Sequence, residues 1–328
     1  MKFLVSLLRF LPPEVAHSIA LNGLKLLYTA GLINFFFSIP KSASTFTYKN
    51  LIFKNKLGLA AGLDKNGDFI DSLGALGFGF IEVGTVTPIA QPGNSKPRIF
   101  RFLSQGAIIN RLGFNNKGVD YLVRQIQSRK YQGILGVNIG ANKESLDQKR
   151  IDDYVECFVK VAPYSDYISV NISSPNTPNL RSLHSKENLL PLFDALSSAR
   201  KNLNFVNPIF IKLSPDESQE TISLIIEMIH EFYFDGVIAS NTTVDKTDLL
   251  HNSLNDYSGG LSGKPLSIKS NALLTSIHEQ DPSMIKIGVG GVFTQEDFEK
   301  KIDLGASLVQ IYTSFIYKGP RIVSELLH

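Results

Sequence analysis

Short apolar runs alternate with amphipathic stretches from residue 57 to the end of the chain. A short apolar run bounded by turn residues is typical of a buried parallel strand, and apolar spacings of three and four indicate helices. Eight runs predict strands at Leu57–Ala61, Phe80–Val83, Ile134–Val137, Tyr167–Val170, Ile209–Ile211, Val237–Ala239, Ile285–Ile287 and Leu308–Ile311. Helical patterns between them include Val119–Arg129, Ile151–Val161, Leu189–Lys201, Ser218–Phe232, Ile268–Glu279 and Gln295–Leu304.

Eight strand–helix units favour an α/β fold, specifically a closed (β/α)8 or TIM barrel. An open, doubly wound parallel sheet is the alternative, because one sequence does not fix the strand count. We predict that residues 42–328 form the barrel domain and that residues 1–41 form an N-terminal helical extension.

The N-terminal extension has an amphipathic pattern of its own. Pro12 and Pro13 can open a helix, because proline is tolerated in the first turn. Polar residues then recur at spacings of three or four from Glu14 to Thr29, opposite a broad apolar face, and the cluster Phe35–Phe37 follows. Such a helix either packs on its own domain or lies on a membrane surface.

Two other interpretations of this extension fit poorly. The apolar run Phe3–Leu8 is interrupted by Arg9 and precedes two prolines without a small-residue cleavage site, unlike a secretory signal. The longest uncharged stretch, Leu26–Pro40, has 15 residues, whereas a membrane span takes about 20.

Composition narrows the classes of function. Hydrophobic residues make up 43% of the chain, enough for a large core. The net charge of +3 is too small to indicate a nucleic-acid partner, and residues 1–41 account for it with four Lys or Arg residues and one Glu. The single cysteine, Cys157, excludes a disulfide framework and is predicted to be structural. No metal site is predicted, because the six histidines lack ligand spacing.

Polar residues follow the predicted strands, and in a barrel these strand ends meet at the face where active sites are built. The first strand leads into Gly62–Gly67, which contains Lys65 and Asn66. Later strands end at Asn138, Asn171, Lys212 and Ser240-Asn241. Amides, hydroxyls and lysines suit the binding of a planar ligand with many acceptors while a cofactor performs the electron chemistry.

The loops after the last two strands indicate what this cofactor carries. Barrels commonly bind phosphate there. Gly288–Gly291 lets backbone N–H groups approach a ligand closely, and Thr294 opens a helix whose N-terminus favours an anion. We therefore predict a phosphate-bearing cofactor.

Ordered motifs between about residues 57 and 320 resemble the dihydroorotate dehydrogenase family, class 2, the membrane-associated and quinone-linked form. They are Ala60–Gly67, Glu82–Pro88, Asn110–Asn116, Val170–Pro178, Ile211–Asp216, Ser240–Thr243, Gly259–Gly263 and Gly288–Gly291, with Leu11–His17 matching the family's N-terminal segment.

The resemblance implies an FMN-dependent oxidoreductase that oxidises (S)-dihydroorotate to orotate in de novo pyrimidine (UMP) biosynthesis. One FMN per chain is implied to contact Ala61, Gly62, Leu63, Asp64, Lys65, Thr85, Asn138, Asn171, Lys212, Ser240, Gly263, Gly291, Tyr312 and Thr313. Dihydroorotate is implied to contact Lys65, Asn110, Arg111, Leu112, Gly113, Phe114, Asn171, Asn176, Asn241 and Thr242.

The implied catalytic base is Ser174, which removes a proton from substrate C5, with Thr177 and a water near Phe114 as relays. Class 1 relatives use a cysteine base and lack the N-terminal extension, so the serine and the extension imply class 2. The resemblance further implies a peripheral location on the cytoplasmic side of the cell membrane. His17 and Arg101 are the implied polar contacts of a membrane quinone.

Two other functions compete with this interpretation. The chain could be an FMN barrel that acts on a different pyrimidine, which would not need the contacts of Asn110 and Asn176. It could also be a non-catalytic barrel that binds nucleotides as a regulator. A yellow protein that bleaches with dihydroorotate would distinguish the first interpretation from both.

Overall fold

The computed structural model describes residues 8, 10–37, 44–174, 176, 185–246 and 257–327. Its strands are β1 (Phe46–Tyr48), β2 (Leu51–Phe53), β3 (Leu57–Leu59), β4 (Phe80–Val86), β5 (Ile99–Phe102), β6 (Ala107–Asn110), β7 (Ile134–Ile139), β8 (Tyr167–Asn171), β9 (Ile209–Leu213), β10 (Gly236–Ala239), β11 (Gly260–Gly263), β12 (Ile285–Val289) and β13 (Leu308–Ile311).

The helices of the described residues are α1 (Pro13–Thr29), α2 (Ile33–Phe36), α3 (Ile70–Gly74), α4 (Val119–Gln127), α5 (Asp147–Val161), α6 (Lys186–Asn202), α7 (Gln219–Glu231), α8 (Ser267–Gln280), α9 (Gln295–Asp303), α10 (Thr313–Lys318) and α11 (Arg321–Leu327). Short 3₁₀ turns occupy Ala162–Tyr164 and Lys264–Leu266. Of the residues discussed above, Arg9, most of Phe3–Leu8 and the implied relay Thr177 lie outside the described part.

Eight parallel strands close into a barrel in the order β3, β4, β7, β8, β9, β10, β12, β13. The ring closes because β13 pairs with β3, with Gln310 opposite Gly58. The prediction of a (β/α)8 barrel is therefore confirmed, and the open sheet is excluded. All eight predicted barrel strands are present, and they were recognisable because strands covered on both sides form near-continuous apolar runs.

Aromatic side chains fill the lower part of the barrel interior. Phe80 contacts Tyr167 edge to face with 6.3 Å between ring centroids, and Tyr167 contacts Phe210 at 5.5 Å. Small residues make room for these rings, since a Cβ at Gly58 would lie 2.3 Å from the Phe80 ring and one at Gly136 would lie 2.0 Å from the Tyr167 ring. The hairpin β1–β2 closes this end of the barrel, with Phe53 against Phe80.

A small antiparallel sheet outside the barrel was not predicted. Strand β6 lies between β5 and β11, and Asn110 of β6 pairs with Gly260 of β11. The three strands come from segments up to about 150 residues apart, and each has only four residues. This sheet carries Asn110 to the C-terminal face of the barrel.

Helix α1 packs on the barrel and also presents apolar residues outward. Ala16, Leu21 and Leu24 are buried, whereas Ile19 is 51% and Leu26 is 70% exposed. The buried residues confirm that α1 packs on its own domain, and the membrane-surface interpretation of its exposed face stays a prediction. Among the described helices, none is long and apolar enough to cross a membrane.

The polar positions of α1 hold the helix in place. The Arg98 guanidinium donates to Glu14 at 2.8 Å, and Lys25 Nζ donates to the carbonyl of Asp68 at 3.0 Å. The polar stripe predicted from the sequence therefore binds the barrel domain at these positions instead of facing only water.

Candidate active site

A cavity of about 140 Å³ opens at the C-terminal ends of the barrel strands. Most of the site residues predicted from the sequence line it, and they are Ala61, Gly62, Lys65, Thr85, Asn110, Leu112, Gly113, Phe114, Asn171, Ser174, Asn176, Lys212, Ser240, Asn241, Thr242, Gly263, Gly291, Tyr312 and Thr313. We call this space the mouth cavity. Strand ends from around the whole barrel thus converge on one space, as expected for this fold.

A few predicted site residues do not line the mouth cavity. The Asp64 carboxylate accepts hydrogen bonds from the amides of Asp68 and Phe69 at 3.0 and 2.8 Å and shapes its own loop. Arg111 points away, with its guanidinium donating to Pro97 O and Ser258 Oγ. Asn66 accepts from the backbone amide of Lys117, so this strand-end amide does not point into the mouth cavity.

Asn138 lies beneath the cavity and orients the residues above it. Its Nδ2 donates to the Glu82 carboxylate at 2.8 Å, which leaves its Oδ1 to accept from Thr85 Oγ1 at 2.5 Å and from Asn171 Nδ2 at 3.3 Å. Asn171 Oδ1 then accepts from Asn241 Nδ2 at 3.3 Å. Because a carboxylate only accepts, Glu82 fixes the direction of this whole chain.

Glu82 belongs to a buried polar cluster that the sequence analysis did not identify. Its second oxygen accepts from the Tyr167 hydroxyl at 2.9 Å and from Gln310 Nε2 at 2.7 Å. Both Glu82 and Gln310 are about 99% buried or more in mid-strand. The available signal was a charged or amide residue inside an otherwise apolar strand, where an unpaired polar group would be costly.

Two lysines supply positive charge to the mouth cavity. Burial is the main reason why the pKa of Lys65 is lowered to about 8, and its ammonium donates to Gly62 O at 2.9 Å. Burial also lowers the pKa of Lys212, while the charge of Glu82 opposes this shift. Burying a charged lysine costs free energy, and an anionic or electron-rich ligand stabilises the charged form of both lysines.

Ser174 lines the same cavity and is 5% exposed. Its Oγ accepts a hydrogen bond from the backbone amide of Asn176 at 3.3 Å. A donor aimed at this oxygen favours the negative charge that would build up there when the hydroxyl proton is lost. Asn176 lies two residues further along the same segment. Its Nδ2 donates to Asn110 Oδ1 at 3.4 Å, so these two side-chain amides of the cavity wall are hydrogen-bonded to each other.

The glycine loop after β12 also lines the mouth cavity, through Gly290 and Gly291. The expectation that the N-terminus of α9 favours an anion stays a prediction, and two amides just before this helix are already bonded within the chain. The Asp297 carboxylate already accepts from the amides of Phe293 and Thr294 at 2.8 and 2.9 Å in a capping box. The amides of Phe293 and Thr294 are therefore not free for a ligand, whereas the glycine loop lines the cavity directly.

Unpaired polar atoms in the cavity wall show that a ligand with hydrogen-bonding groups fits there. Ser314 Oγ and Gln310 Oε1 are buried without a hydrogen-bond partner in the described part of the protein, and both residues line the cavity. Buried polar atoms nearly always have a hydrogen-bond partner in native proteins, so these two atoms are available to a ligand. FMN, with a phosphate, a ribityl chain and a ring rich in acceptors, offers such partners.

Sequence reasoning also missed lining residues that lie beyond the motifs' obvious polar positions. They are Ala60, Ser262, Leu266, Val292, Phe293, Gln310, Ile311 and Ser314. Most are apolar or lie on the unpredicted strand β11, which explains why no polar pattern identified them.

A second, mainly apolar cavity lies between α1 and the barrel. His17 and Arg101 line it together with Pro13, Ala16, Ala20, Leu21, Leu24, Leu63, Ile99, Ile108, Phe315 and other residues. Burial, followed by the nearby charge of Lys65, lowers the pKa of His17 to about 4, so this imidazole is neutral at pH 7. Arg101 ties the segment before α1 to the small sheet by donating to Leu8 O and Leu11 O.

The two cavities are neighbours. Asn110 and Tyr312 line both of them, so a single layer of side chains separates the polar space from the apolar one. Cys157 takes no part in either, since it is fully buried on α5. The described residues contain no cluster of His, Cys, Asp and Glu that could hold a metal.

Fold and site together define a (β/α)8-barrel enzyme with a cavity at the C-terminal face of its strands that lysine, amide and hydroxyl side chains line. Comparison with known proteins gives the family. A family model described as dihydroorotate dehydrogenase matches residues 44–328. The protein named dihydroorotate dehydrogenase (quinone) from Saccharophagus degradans is 46% identical over 96% of this chain and 94% of its own.

Further relatives agree. The protein of the same name from Methylobacillus flagellatus is 45% identical over 96% of this chain and 95% of its own. A crystal structure of DHODH from Eimeria tenella in complex with ferulenol superposes with a TM-score of 0.87 at 33% identity, covering 96% of this chain and 89% of that one. The chain belongs to the dihydroorotate dehydrogenase family, and it is an oxidoreductase.

Proposed function

We propose that this chain oxidises (S)-dihydroorotate to orotate with FMN bound in the mouth cavity, and that it passes the electrons to a membrane quinone in the second cavity. One observation carries this proposal: the mouth cavity, with its lysine and amide side chains, shares the wall formed by Asn110 and Tyr312 with a mainly apolar cavity. This arrangement suits two half-reactions with chemically different partners. The names of the relatives support the same pair of substrates.

FMN, when bound, supplies the acceptor for the hydride that leaves substrate C6. The residues proposed to hold it are those of the mouth cavity nearest the strand ends of β3, β9 and β13 and the glycine loop. Lys212 would stabilise negative charge on the ring, because its ammonium has no described carboxylate within ion-pair distance to offset its burial. Gly290 and Gly291 would present backbone amides to the phosphate.

The substrate would be held by the paired amides and by Lys65. Asn110, Asn176, Asn171 and Asn241 each offer a donor and an acceptor, which matches the alternating N–H and carbonyl groups of a dihydropyrimidine ring. Lys65 would bind the substrate carboxylate. Ser174 Oγ would accept the C5 proton while its own hydroxyl proton passes to a water near Phe114, and the amide of Asn176, which donates to Oγ at 3.3 Å, would favour the loss of that hydroxyl proton.

The exposed apolar face of α1 supports a membrane-surface location on the cytoplasmic side. Next to this helix, Phe35 is 82% and Phe36 is 42% exposed, and their rings meet edge to face at 5.2 Å. Aromatic and aliphatic side chains of this kind bury favourably at a lipid interface, with the basic residues of 1–41 as electrostatic support. A quinone would then reach His17 and Arg101 from the lipid side.

Anaerobic addition of dihydroorotate to the purified protein tests the proposal. We expect the yellow absorbance to bleach and then to return when a soluble quinone analogue is added. Fumarate and NAD should not restore it. A colourless protein that cannot be loaded with FMN would favour the regulator, and a yellow protein indifferent to dihydroorotate would favour a different pyrimidine.

Lys212→Ala is expected to weaken FMN binding by about 10- to 100-fold, because a buried donor to an electron-rich ligand is lost. The measurement is the FMN-to-protein ratio after gel filtration. Lys286→Ala is the matched control: Lys286 is equally buried, but its ammonium donates to the carbonyls of Asp281, Pro282 and Met284 away from the cavity. Full FMN occupancy in Lys212→Ala would contradict the assignment.

Orotate binding is expected to weaken as the pH rises above about 8. The pKa of Lys65 is lowered to about 8, so its charge is present below that value and lost above it. An anionic ligand favours the charged form, and affinity should fall up to tenfold per pH unit in the alkaline limb. Titration of the flavin spectrum with orotate from pH 6 to 9 measures this, and Lys65→Met should flatten the profile. A flat wild-type profile would rule out the role of Lys65.

A further inference from the structure

Lys301 on α9 is a buried lysine that the proposed reaction leaves unused. Its side chain is 1% exposed. Its ammonium donates to Ser270 Oγ on α8 at 2.7 Å, and that hydroxyl donates to the carbonyl of Gly290 at 3.0 Å. Lys301 is thus two hydrogen bonds from the glycine loop that lines the mouth cavity.

Lys301 and Ser270 pack closely behind this loop. A Cβ at Gly288 would lie 3.3 Å from Lys301 Cδ, and one at Gly290 would lie 3.1 Å from Ser270 Cβ. On the other side of the loop, a Cβ at Gly291 would lie 2.5 Å from Ser267. The loop is therefore packed against α8 and α9 at the place where it lines the cavity.

The charge of Lys301 is poorly compensated within the described protein. Ser270 Oγ is its only described hydrogen-bond acceptor, and no described carboxylate lies within 4.0 Å of its ammonium. Burial lowers its pKa to about 7, although Asp297 opposes this shift. Lys286, the other buried lysine of this region, differs because three carbonyls accept from its ammonium. A buried cation without a counter-ion is costly, and an anion in front of the loop would offset that cost.

We propose that Lys301 is a positioning residue for the phosphate of FMN. It anchors the carbonyl of Gly290 through Ser270, so that the adjoining amides of the loop point into the cavity, and it places a positive charge behind them. This inference rests on the proposed function, because it takes FMN as the ligand of the mouth cavity. The charge of Lys301 would stabilise the negative charge of the phosphate and not the flavin ring.

The experiment compares two flavins that differ only in the phosphate. Holoprotein is exchanged with an equimolar mixture of FMN and riboflavin, and the bound flavins are quantified after gel filtration. The wild-type protein should strongly prefer FMN. Lys301→Met keeps the length of the side chain and removes the charge, and it should lower the preference for FMN over riboflavin by about 10- to 100-fold. Lys300→Met, on the exposed side of the same helix, should leave the preference unchanged.

Ser270→Ala keeps the charge of Lys301 and removes the hydrogen bond to the carbonyl of Gly290. This variant tests the role of Lys301 if Lys301→Met does not fold. We expect its preference for FMN to fall several-fold, less than for Lys301→Met. If both flavins are lost in parallel, or the preference is unchanged, Lys301 has only a packing role and the inference is overturned. A wild-type protein that binds neither flavin would instead overturn the proposed function itself.

Discussion

Ser174→Ala is expected to retain FMN and to slow the bleaching of the flavin by dihydroorotate by about 100- to 10,000-fold, the usual range for loss of a positioned base. The variant removes the only atom of this residue that can take the C5 proton. The amide of Asn176, which donates to Ser174 Oγ at 3.3 Å, then has no oxygen to stabilise. Anaerobic stopped-flow absorbance measures the rate directly.

Two controls show whether the slower bleaching reflects the loss of proton transfer from substrate C5. Orotate should bind to Ser174→Ala within about threefold of wild type, because the substrate contacts proposed for Asn110 and Asn176 remain. Dithionite should still reduce the bound flavin at the normal rate. If dihydroorotate bleaches the variant as fast as wild type, Ser174 is not the base.

Removal of residues 1–41 is expected to abolish quinone reduction and vesicle binding while dihydroorotate still bleaches the flavin. Helix α1 supplies one wall of the second cavity, through Ala16, His17 and Leu24 among others, but no lining residue of the mouth cavity. Separate assays of flavin bleaching, of reoxidation by quinone and of co-sedimentation with anionic vesicles distinguish the three properties. Retained quinone turnover would contradict the assignment of the second cavity.

A full-length variant tests the same assignment without exposing the barrel surface beneath α1. Ala20→Phe places a ring at a position that lines the second cavity, and we expect the rate of quinone reoxidation to fall at least tenfold. Ile19→Phe is the matched control, because Ile19 is 51% exposed and does not line that cavity. Equal reoxidation rates in the two variants would argue against a quinone route along α1.

The barrel could be predicted from the sequence because each of its strands is buried on both sides and is therefore a mostly apolar run. The small sheet could not, since β5, β6 and β11 have four residues each and pair across long separations. The opening position of α1 was predictable from Pro12 and Pro13. Which of its polar residues contact the barrel was not, because Glu14 finds its partner Arg98 84 residues away.

The site was predictable where it follows from strand ends. Asn171, Lys212 and Asn241 terminate consecutive barrel strands, and this alone brings them together. The direction of the amide chain was not predictable, because it depends on Glu82, a residue in the middle of β4 whose partners come from β7, β8 and β13. The capping box of α9, by contrast, could have been predicted, because Thr294 and Asp297 have the spacing of that motif.

The wall that Asn110 and Tyr312 form between the two cavities determines how an inhibitor of either cavity would act. A hydrophobic inhibitor lodged beside α1 would compete with the quinone and would leave dihydroorotate free to bind. Dihydroorotate that accumulates behind the inhibited step would then not displace such a compound. The potency of the compound in a cell would therefore not decline as the substrate concentration rises.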